Sequence, residues 1–309
     1  MNHVELIRLL MPIYGAGEAR AVVRLVMEEH FGLSQTDLLL GKGTTLSRDE
    51  RNDFEKIAAR LVQGEPVQYV LGYASFCGHR FRVTPDVLIP RPETEELVGR
   101  VVQNARGQSA FSKGAEQPLV NILDLCTGSG CIAIASALAL PEANVVGVDI
   151  SQPALAVANE NALELGADNV SFLEGDVLQP DKAKLIAELG RPNSLIRLAL
   201  QPDKPDLVFD VIVSNPPYVR ECEAAEMSRH VLDHEPRLAL FVPDDDALLF
   251  YHAIADIGQQ CLKLGDTVLV EVNTALAEDT RQLVLDSGYP YAMVFDDQFG
   301  RPRIVQARK

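Results

Sequence analysis

Tryptophan is absent from this chain of 309 residues, and aromatic residues together make up only 6% of it. Flat platforms on which single-stranded bases could stack are therefore scarce. Cations are also in short supply, 28 Lys and Arg against 44 Asp and Glu, for a net charge of −16. A general binder of phosphate backbones rests on clustered Lys and Arg, so this balance argues against one, although a local basic face would survive it. There is no apolar run of about 20 residues, and Glu5 and Arg8 interrupt the first segment. Neither a membrane span nor a secretory leader fits that pattern. The five cysteines (Cys77, Cys126, Cys131, Cys222, Cys261) are odd in number and contain no C-x-x-C. They read as reduced thiols of a cytoplasmic protein, mostly small core residues.

What is present is an ordinary globular composition, 47% apolar and 23% charged, in a chain long enough for two domains. Residues 1–63 read as helical throughout. Ala19, Val22, Val23, Val26 and Met27 share one helical face, and Ser47-Arg-Asp-Glu50 has the form of a capping box before Phe54, Ile57, Ala58 and Leu61. Residues 64–90 form a hinge and a β-hairpin, with Gly78 and Thr84-Pro85-Asp86 as turn signals. The polar stretch 105–118 reads as an exposed loop. From residue 119 the texture alternates. Strand-like runs at 119–125, 144–149, 170–173, 207–214, 267–272 and 291–295 are separated mostly by helical runs at 130–140, 152–165, 245–263 and 275–287. This predicts an α/β domain over 91–309, a parallel sheet with helices on both faces. The run 303–307 follows too closely for a helical crossover and should pair antiparallel with 291–295. Residues 179–206 are an insertion with room for one helix.

The strand ending at Leu125 runs into Thr127-Gly128-Ser129-Gly130, and a helix-forming run starts at Cys131. Such a turn lets a ligand approach backbone N–H groups closely. Gly128-Ser-Gly130-Cys-Ile-Ala133 also matches the dinucleotide fingerprint G-x-G-x-x-A, with Asp149 ending the next strand. Asp124 separates the two cofactors. Facing a pyrophosphate its charge is unfavourable; facing the ammonium or sulfonium of S-adenosylmethionine it is attractive. With Asp149 placed for the ribose hydroxyls and Asp176 for the adenine amino group, three acids ending three strands favour S-adenosylmethionine.

Asn215-Pro216-Pro217-Tyr218 is the most specific feature of the chain. Two prolines stiffen a strand terminus and remove two donors, leaving carbonyls and the Asn215 amide to grip a planar NH2 group beside the flat face of Tyr218. An amide nitrogen is a poor nucleophile, so orientation and charge stabilisation are what such a site must supply. Weaker signals carry less. His230 and His234 have i, i+4 spacing but no third ligand, which favours a solvated or capping role over a metal. Gly41-Lys-Gly-Thr44 lacks phosphate-loop spacing and reads as a turn. Asp244-Asp-Asp246 reads as the N-terminal cap of the following helix.

The reversed terminal strand resembles class I S-adenosylmethionine-dependent methyltransferases, whose Rossmann-like sheet ends in this way. Asn-Pro-Pro-Tyr together with the glycine loop resembles the enzymes that methylate exocyclic amino or amide nitrogens. Gly64-Glu-Pro-Val-Gln-Tyr-Val-Leu-Gly72, Val87-Leu-Ile-Pro-Arg-Pro-Glu-Thr-Glu95 and Val231-Leu-Asp-His-Glu-Pro-Arg-Leu-Ala-Leu240 narrow the likeness. They resemble the peptide chain release factor glutamine methyltransferases (HemK/PrmC), along nearly the whole chain. The resemblance implies methylation of N5 of the glutamine in the Gly-Gly-Gln loop of class I release factors, by a cytoplasmic monomer needing no nucleic acid, membrane or metal. It implies that Asn215, Pro216 and Tyr218 are catalytic. Asp124, Thr127, Gly128, Gly130, Asp149, Asp176 and Asn215 would hold the cofactor. Pro90, Arg91, Glu93 and Pro217 would join the catalytic three around the substrate, and the helical domain 1–63 would recognise it. Two departures stand out: Cys126 occupies a position where glycine is usual, and the 179–206 insertion is long. A ribosomal-protein glutamine methyltransferase is the nearest alternative, disfavoured by Pro92-Glu-Thr. An adenine-N6 DNA methyltransferase is disfavoured by the charge, and a non-catalytic cofactor-binding module by the intact Asn215.

Overall fold

A computed structural model of the protein describes residues 1–41, 46–111, 120–179 and 209–309. Residues 180–206 of the insertion and 42–44 of the supposed turn lie outside them. The chain divides into two compact units, Met1–Tyr73 with Met227–Glu235, and Ala74–Glu226 with Pro236–Lys309.

The first unit is helical. Its helices α1 (His3–Glu29), α2 (Gln35–Leu39), α3 (Arg48–Val62) and α4 (Val67–Leu71) bury Leu6, Leu10, Val23, Met27, Phe54 and Leu61 together. Ala19, Val22, Val23, Val26 and Met27 are all buried, which is the face read from spacing. Asn2 caps α1 in a capping box, and the non-helical Gly15 (φ 77°, ψ 165°) puts a kink between its two helical stretches. The Ser47–Glu50 capping box is formed, with both reciprocal bonds present. A short helix beyond the tetrapeptide, Arg229–His234, belongs to this unit as well. His230 Nδ1 lies 2.7 Å from the Gly64 carbonyl oxygen and its ring stacks on Tyr14 at 4.3 Å. His230 is thus a structural tie. Among the described residues no group of three His, Cys, Asp or Glu could hold a metal.

The second unit opens with a hairpin of β1 (Tyr73–Phe76) and β2 (His79–Arg82), turning at Cys77-Gly78. Helix α5 (Thr94–Phe111) then runs through 105–111, where a loop was expected; seven residues of polar sequence continue a helix whose Val101 and Ala105 are already buried. The main sheet has seven strands: β3 (Asn121–Leu125), β4 (Asn144–Asp149), β5 (Val170–Glu174), β6 (Phe209–Ser214), β9 (Leu262–Glu271), β10 (Tyr291–Asp296) and β11 (Pro302–Arg308), with β7 (Val219–Arg220) and β8 (Phe241–Val242) pairing apart. Its order is β10-β11-β9-β6-β3-β4-β5. All neighbours run parallel except β11, which is antiparallel to both β10 and β9. The C-terminal hairpin therefore inserts its last strand as expected. Side chains alternate between two cores: Ile122, Val145 and Val211 pack with Leu97, Val101 and Ile132, while Leu123, Val146 and Ile212 pack with Tyr251, Ile254 and Leu283. Burial on both faces is why these strands read as continuous apolar runs. The three aspartates at 244–246 do not cap the next helix, Leu249–Cys261, which has Leu248 at its cap position; Asp244 instead accepts the Cys222 N–H at 2.9 Å.

Candidate active site

The sheet is built outward from β3 in both directions: β4 lies on one side of it and β6 on the other. Where the winding reverses, the carboxyl ends of neighbouring strands diverge and leave a crevice. Leu125 is in register with Ser214, and the Ser214 hydroxyl donates to the Leu125 carbonyl at 2.6 Å. The glycine loop and the Asn-Pro-Pro-Tyr segment therefore leave the sheet side by side.

The loop turns on three left-handed residues, Cys126 (φ 61°), Gly128 (φ 56°) and Gly130 (φ 77°). Cys126 adopts the backbone that a glycine would take there without strain. The two glycines do different work. A Cβ on Gly130 would come within 2.9 Å of Phe172 and 3.0 Å of both Ala158 and Ile134, so its bare backbone is a packing requirement. A Cβ on Gly128 would meet nothing within 4 Å, so its open side faces space that a ligand can enter. The loop is fastened from below. The Thr127 N–H donates to the Val148 carbonyl at 2.9 Å, and the Gly128 N–H donates to Asp149 Oδ2 at 2.8 Å. Asp149 Oδ1 accepts from the Ser151 N–H at 2.9 Å, and the Ile150 N–H is a further donor to this carboxylate.

Asp124 lies beneath the loop, where the expectation put it facing the ligand. It is fully buried, and its Oδ2 accepts the Thr127 hydroxyl at 2.6 Å and the Ala133 N–H at 3.2 Å. Its Oδ1 is buried with no hydrogen-bond partner. Burial, with the charge of Asp149 adding to it, pushes the carboxyl up to about 7. Asp124 braces the turn from within.

On the other wall, Asn215 Nδ2 donates to Thr94 Oγ1 at 3.3 Å, and the Thr94 hydroxyl donates to Glu271 Oε2 at 2.7 Å. The Tyr218 hydroxyl donates to Glu271 Oε1 at 3.0 Å. Burial raises Glu271 from the usual carboxylate range, opposed by these two donors and by the Arg303 guanidinium. Burial and the charge of Glu271 push the Tyr218 phenol well up, so it stays a donor. Sequence reasoning passed over Thr94 and Glu271. The one visible signal was a single carboxylate inside the apolar run 267–272.

An open cleft with a cavity volume of about 160 Å3 lies between these walls. Thr127, Gly128, Asp149, Asp176 and Asn215 line it, as do Pro90, Arg91 and Pro217. Asp124, Gly130, Glu93, Pro216 and Tyr218 are not on its wall. The reasons are local: Asp124 and Gly130 are packed under the loop, Pro216 is buried, and the Tyr218 hydroxyl is turned to Glu271. Asp176 Oδ1 also accepts the Leu178 N–H at 2.8 Å, which fixes its orientation at the cleft.

A family model described as the PrmC N-terminal domain matches residues 12–72, and one described as a methyltransferase domain matches residues 116–242. Over 301 residues the chain is 40% identical to a release factor glutamine methyltransferase of Bacteroides thetaiotaomicron, covering 97% of this chain and 96% of that protein. The chain belongs to the release factor glutamine methyltransferase family. A member from Flavobacterium psychrophilum is 33% identical over 302 residues, 98% of this chain and 96% of its own length. Another, from Geobacter sulfurreducens, is 33% identical over 294 residues, 95% of this chain and 91% of its own. The protein is accordingly a methyltransferase that uses S-adenosylmethionine. The site fits that cofactor. The open side of Gly128 and the carboxylates of Asp149 and Asp176 on the cleft wall offer close backbone approach and hydrogen-bond acceptors. Among the described residues, no helix is long and apolar enough to cross a membrane.

Proposed function

We propose that the methyl acceptor is N5 of the glutamine in the Gly-Gly-Gln loop of class I peptide chain release factors. The observation that carries this reading is the placement of Asn215. It leaves the sheet beside the glycine loop and lines the cleft, with its Nδ2 committed to Thr94. Its Oδ1 is then the acceptor presented to an incoming NH2 group, and the Pro216 carbonyl accepts the second hydrogen. S-adenosylmethionine supplies an electrophilic methyl when bound. Asp149 and Asp176 would hold its ribose and adenine, with the open side of Gly128 towards it. Asn215 and Pro216 aim the amide lone pair, which is otherwise conjugated with its carbonyl, in line with the methyl carbon. The N–CH3 bond would form as the S–CH3 bond breaks, with S-adenosylhomocysteine leaving with the electron pair and one N–H proton passing to water. This is catalysis by orientation and charge stabilisation, with no covalent intermediate. Pro90, Arg91 and Pro217 border the substrate, and the ring of Tyr218, its hydroxyl anchored on Glu271, stiffens the turn behind it.

Mass spectrometry of purified release factor after incubation with the protein and S-adenosylmethionine tests this directly. A single added methyl confined to the Gly-Gly-Gln peptide, absent with Asn215→Ala although cofactor affinity stays within a few-fold, is the expected result. No methyl on the factor from an enzyme that binds the cofactor would move the substrate to a ribosomal-protein glutamine. The same reading has a cytoplasmic monomer act on the folded factor through its helical unit, without nucleic acid. Leu9 and Ile13 expose apolar side chains on α1. Replacing both by Lys should raise KM for the factor and leave cofactor affinity unchanged, and an unaltered KM would remove α1 from the docking surface.

A further inference from the structure

A side-chain amide has two ends of nearly equal shape, and only one of them suits this reaction. If Asn215 turned its NH2 to the cleft, it would present two donors to a substrate NH2 group that also has only donors to offer. Something in the fold must choose the orientation. The choice is traceable along one line of hydrogen bonds, starting from the sheet.

Strand β9 runs parallel to β6, with Val270 in register with Ser214. One residue further along each strand stand Glu271 and Asn215, and the first turn of α5 brings Thr94 between them. Thr94, at 2% exposure, and Glu271, at 1%, are both cut off from bulk water. An ionised carboxylate can only accept hydrogen bonds. The Thr94 hydroxyl gives its single proton to Glu271 Oε2 at 2.7 Å, the direction that an ionised Glu271 requires. What Thr94 has left is a lone pair, and a lone pair accepts only from the NH2 of Asn215, the 3.3 Å contact observed. Burial raises the Glu271 carboxyl and Glu93 adds to that, while donation from Thr94 and Tyr218 and the charge of Arg303 favour its ionised form. Each step leaves the next group a single option.

We infer that Glu271 and Thr94 are positioning residues that fix the Asn215 amide with its oxygen towards the methyl acceptor. This deepens the proposed reaction and rests on it. Thr94 acts through Asn215 rather than on the reacting atoms. Its loss should therefore lower kcat and leave the affinity for S-adenosylmethionine alone. Tyr218, donating to the other oxygen of Glu271, completes the acceptor-only state of that carboxylate.

The test compares Thr94→Val with Thr94→Ser in the full-length protein, assayed with release factor and S-adenosylmethionine. Thr94→Val keeps the shape and removes the hydroxyl; it should lower kcat about tenfold or more, with cofactor Kd and melting temperature close to those of the parent. Thr94→Ser restores the hydroxyl and should recover most of the rate. A parental kcat in Thr94→Val, or equal impairment in both variants, would overturn the inference. The orientation has a second readout that needs no methyl acceptor. The side-chain NH2 signals of Asn215, assigned by their absence in Asn215→Ala, should exchange with solvent slowly in the parent and fast in Thr94→Val. If the parent fails to methylate the factor, the substrate reading falls, and the exchange rates still decide the orientation. Equal exchange in parent and Thr94→Val would sink it.

Discussion

Gly128 and Gly130 sit two residues apart in the same loop, yet the structure assigns them opposite failures when each becomes alanine. Both have positive φ, which costs an L-residue roughly 1–2 kcal/mol. At Gly130 the new methyl also meets Phe172 at 2.9 Å and Ala158 and Ile134 at 3.0 Å. Overpacking of this kind costs roughly 1–3 kcal/mol, because the neighbours must leave their rotamers. Gly130→Ala should therefore destabilise the protein by roughly 2–5 kcal/mol. In a unit of this size each kcal/mol shifts the melting temperature by about 2–4 °C, so a drop of roughly 4–20 °C is expected. What remains folded should bind S-adenosylmethionine within a few-fold of the parent, since the added methyl points into the core. Gly128→Ala carries the backbone term alone, roughly 2–8 °C. Its methyl enters the open side of the loop, where no protein atom lies within 4 Å, and should weaken the cofactor about tenfold or more. Thermal melts paired with calorimetric titration of the cofactor separate the two. If Gly130→Ala melts like the parent but loses the cofactor, or if Gly128→Ala binds normally, the division of labour within the loop is wrong.

Asp124 gives a pH-dependent counterpart. Its folded pKa is raised above the ordinary carboxylate value, so the stability it confers is fully present below about pH 4 and is lost as pH rises through about 7. The melting temperature of the cofactor-free parent, relative to Asp124→Asn, should fall between about pH 4 and 7; parallel curves for the two proteins would refute a buried titrating carboxyl. In the helical unit, His230→Ala removes the contact to the Gly64 carbonyl and the stack on Tyr14, at a cost of about 1–3 kcal/mol. That loss should appear as lowered hydrogen-exchange protection in α1 and α4, and undiminished protection would mean that the segment 227–235 is only loosely held.

The sheet was readable from sequence because its strands are buried on both faces, so runs such as Asn144–Asp149 stand out as apolar blocks between turns. The capping box at Ser47 and the hairpin pairing of β10 with β11 were readable for a similar reason: both are decided within a few residues of chain. The misreadings are those that local sequence does not decide. Residues 105–111 look like loop because their polarity says nothing of the buried turn before them. Asp244–Asp246 look like a cap, but the chain turns once more before the helix starts at Leu249. Asp124 was correctly placed at a strand end, but whether its carboxylate faced the cleft or the loop depended on Thr127 and Ala133 closing over it. Glu271 was missed because its importance comes from a strand register and from Thr94, 177 positions earlier.

The helical unit is completed by a segment that lies beyond the catalytic tetrapeptide. Tyr73 and Met227 are 154 positions apart (227 − 73). At synthesis rates of about 5–20 residues per second, some 8–30 s pass between the emergence of these two points. Helices form in microseconds, so α1, α3 and α4 are made long before His230 arrives to meet Tyr14 and Gly64. During that wait the nascent unit lacks a partner for one carbonyl and a cover for one ring. The chain also has no single cut that separates its two units. A break anywhere between 73 and 227 strands Arg229–His234 on the wrong fragment, so recombination or gene splitting at the apparent domain border would divide the smaller unit as well.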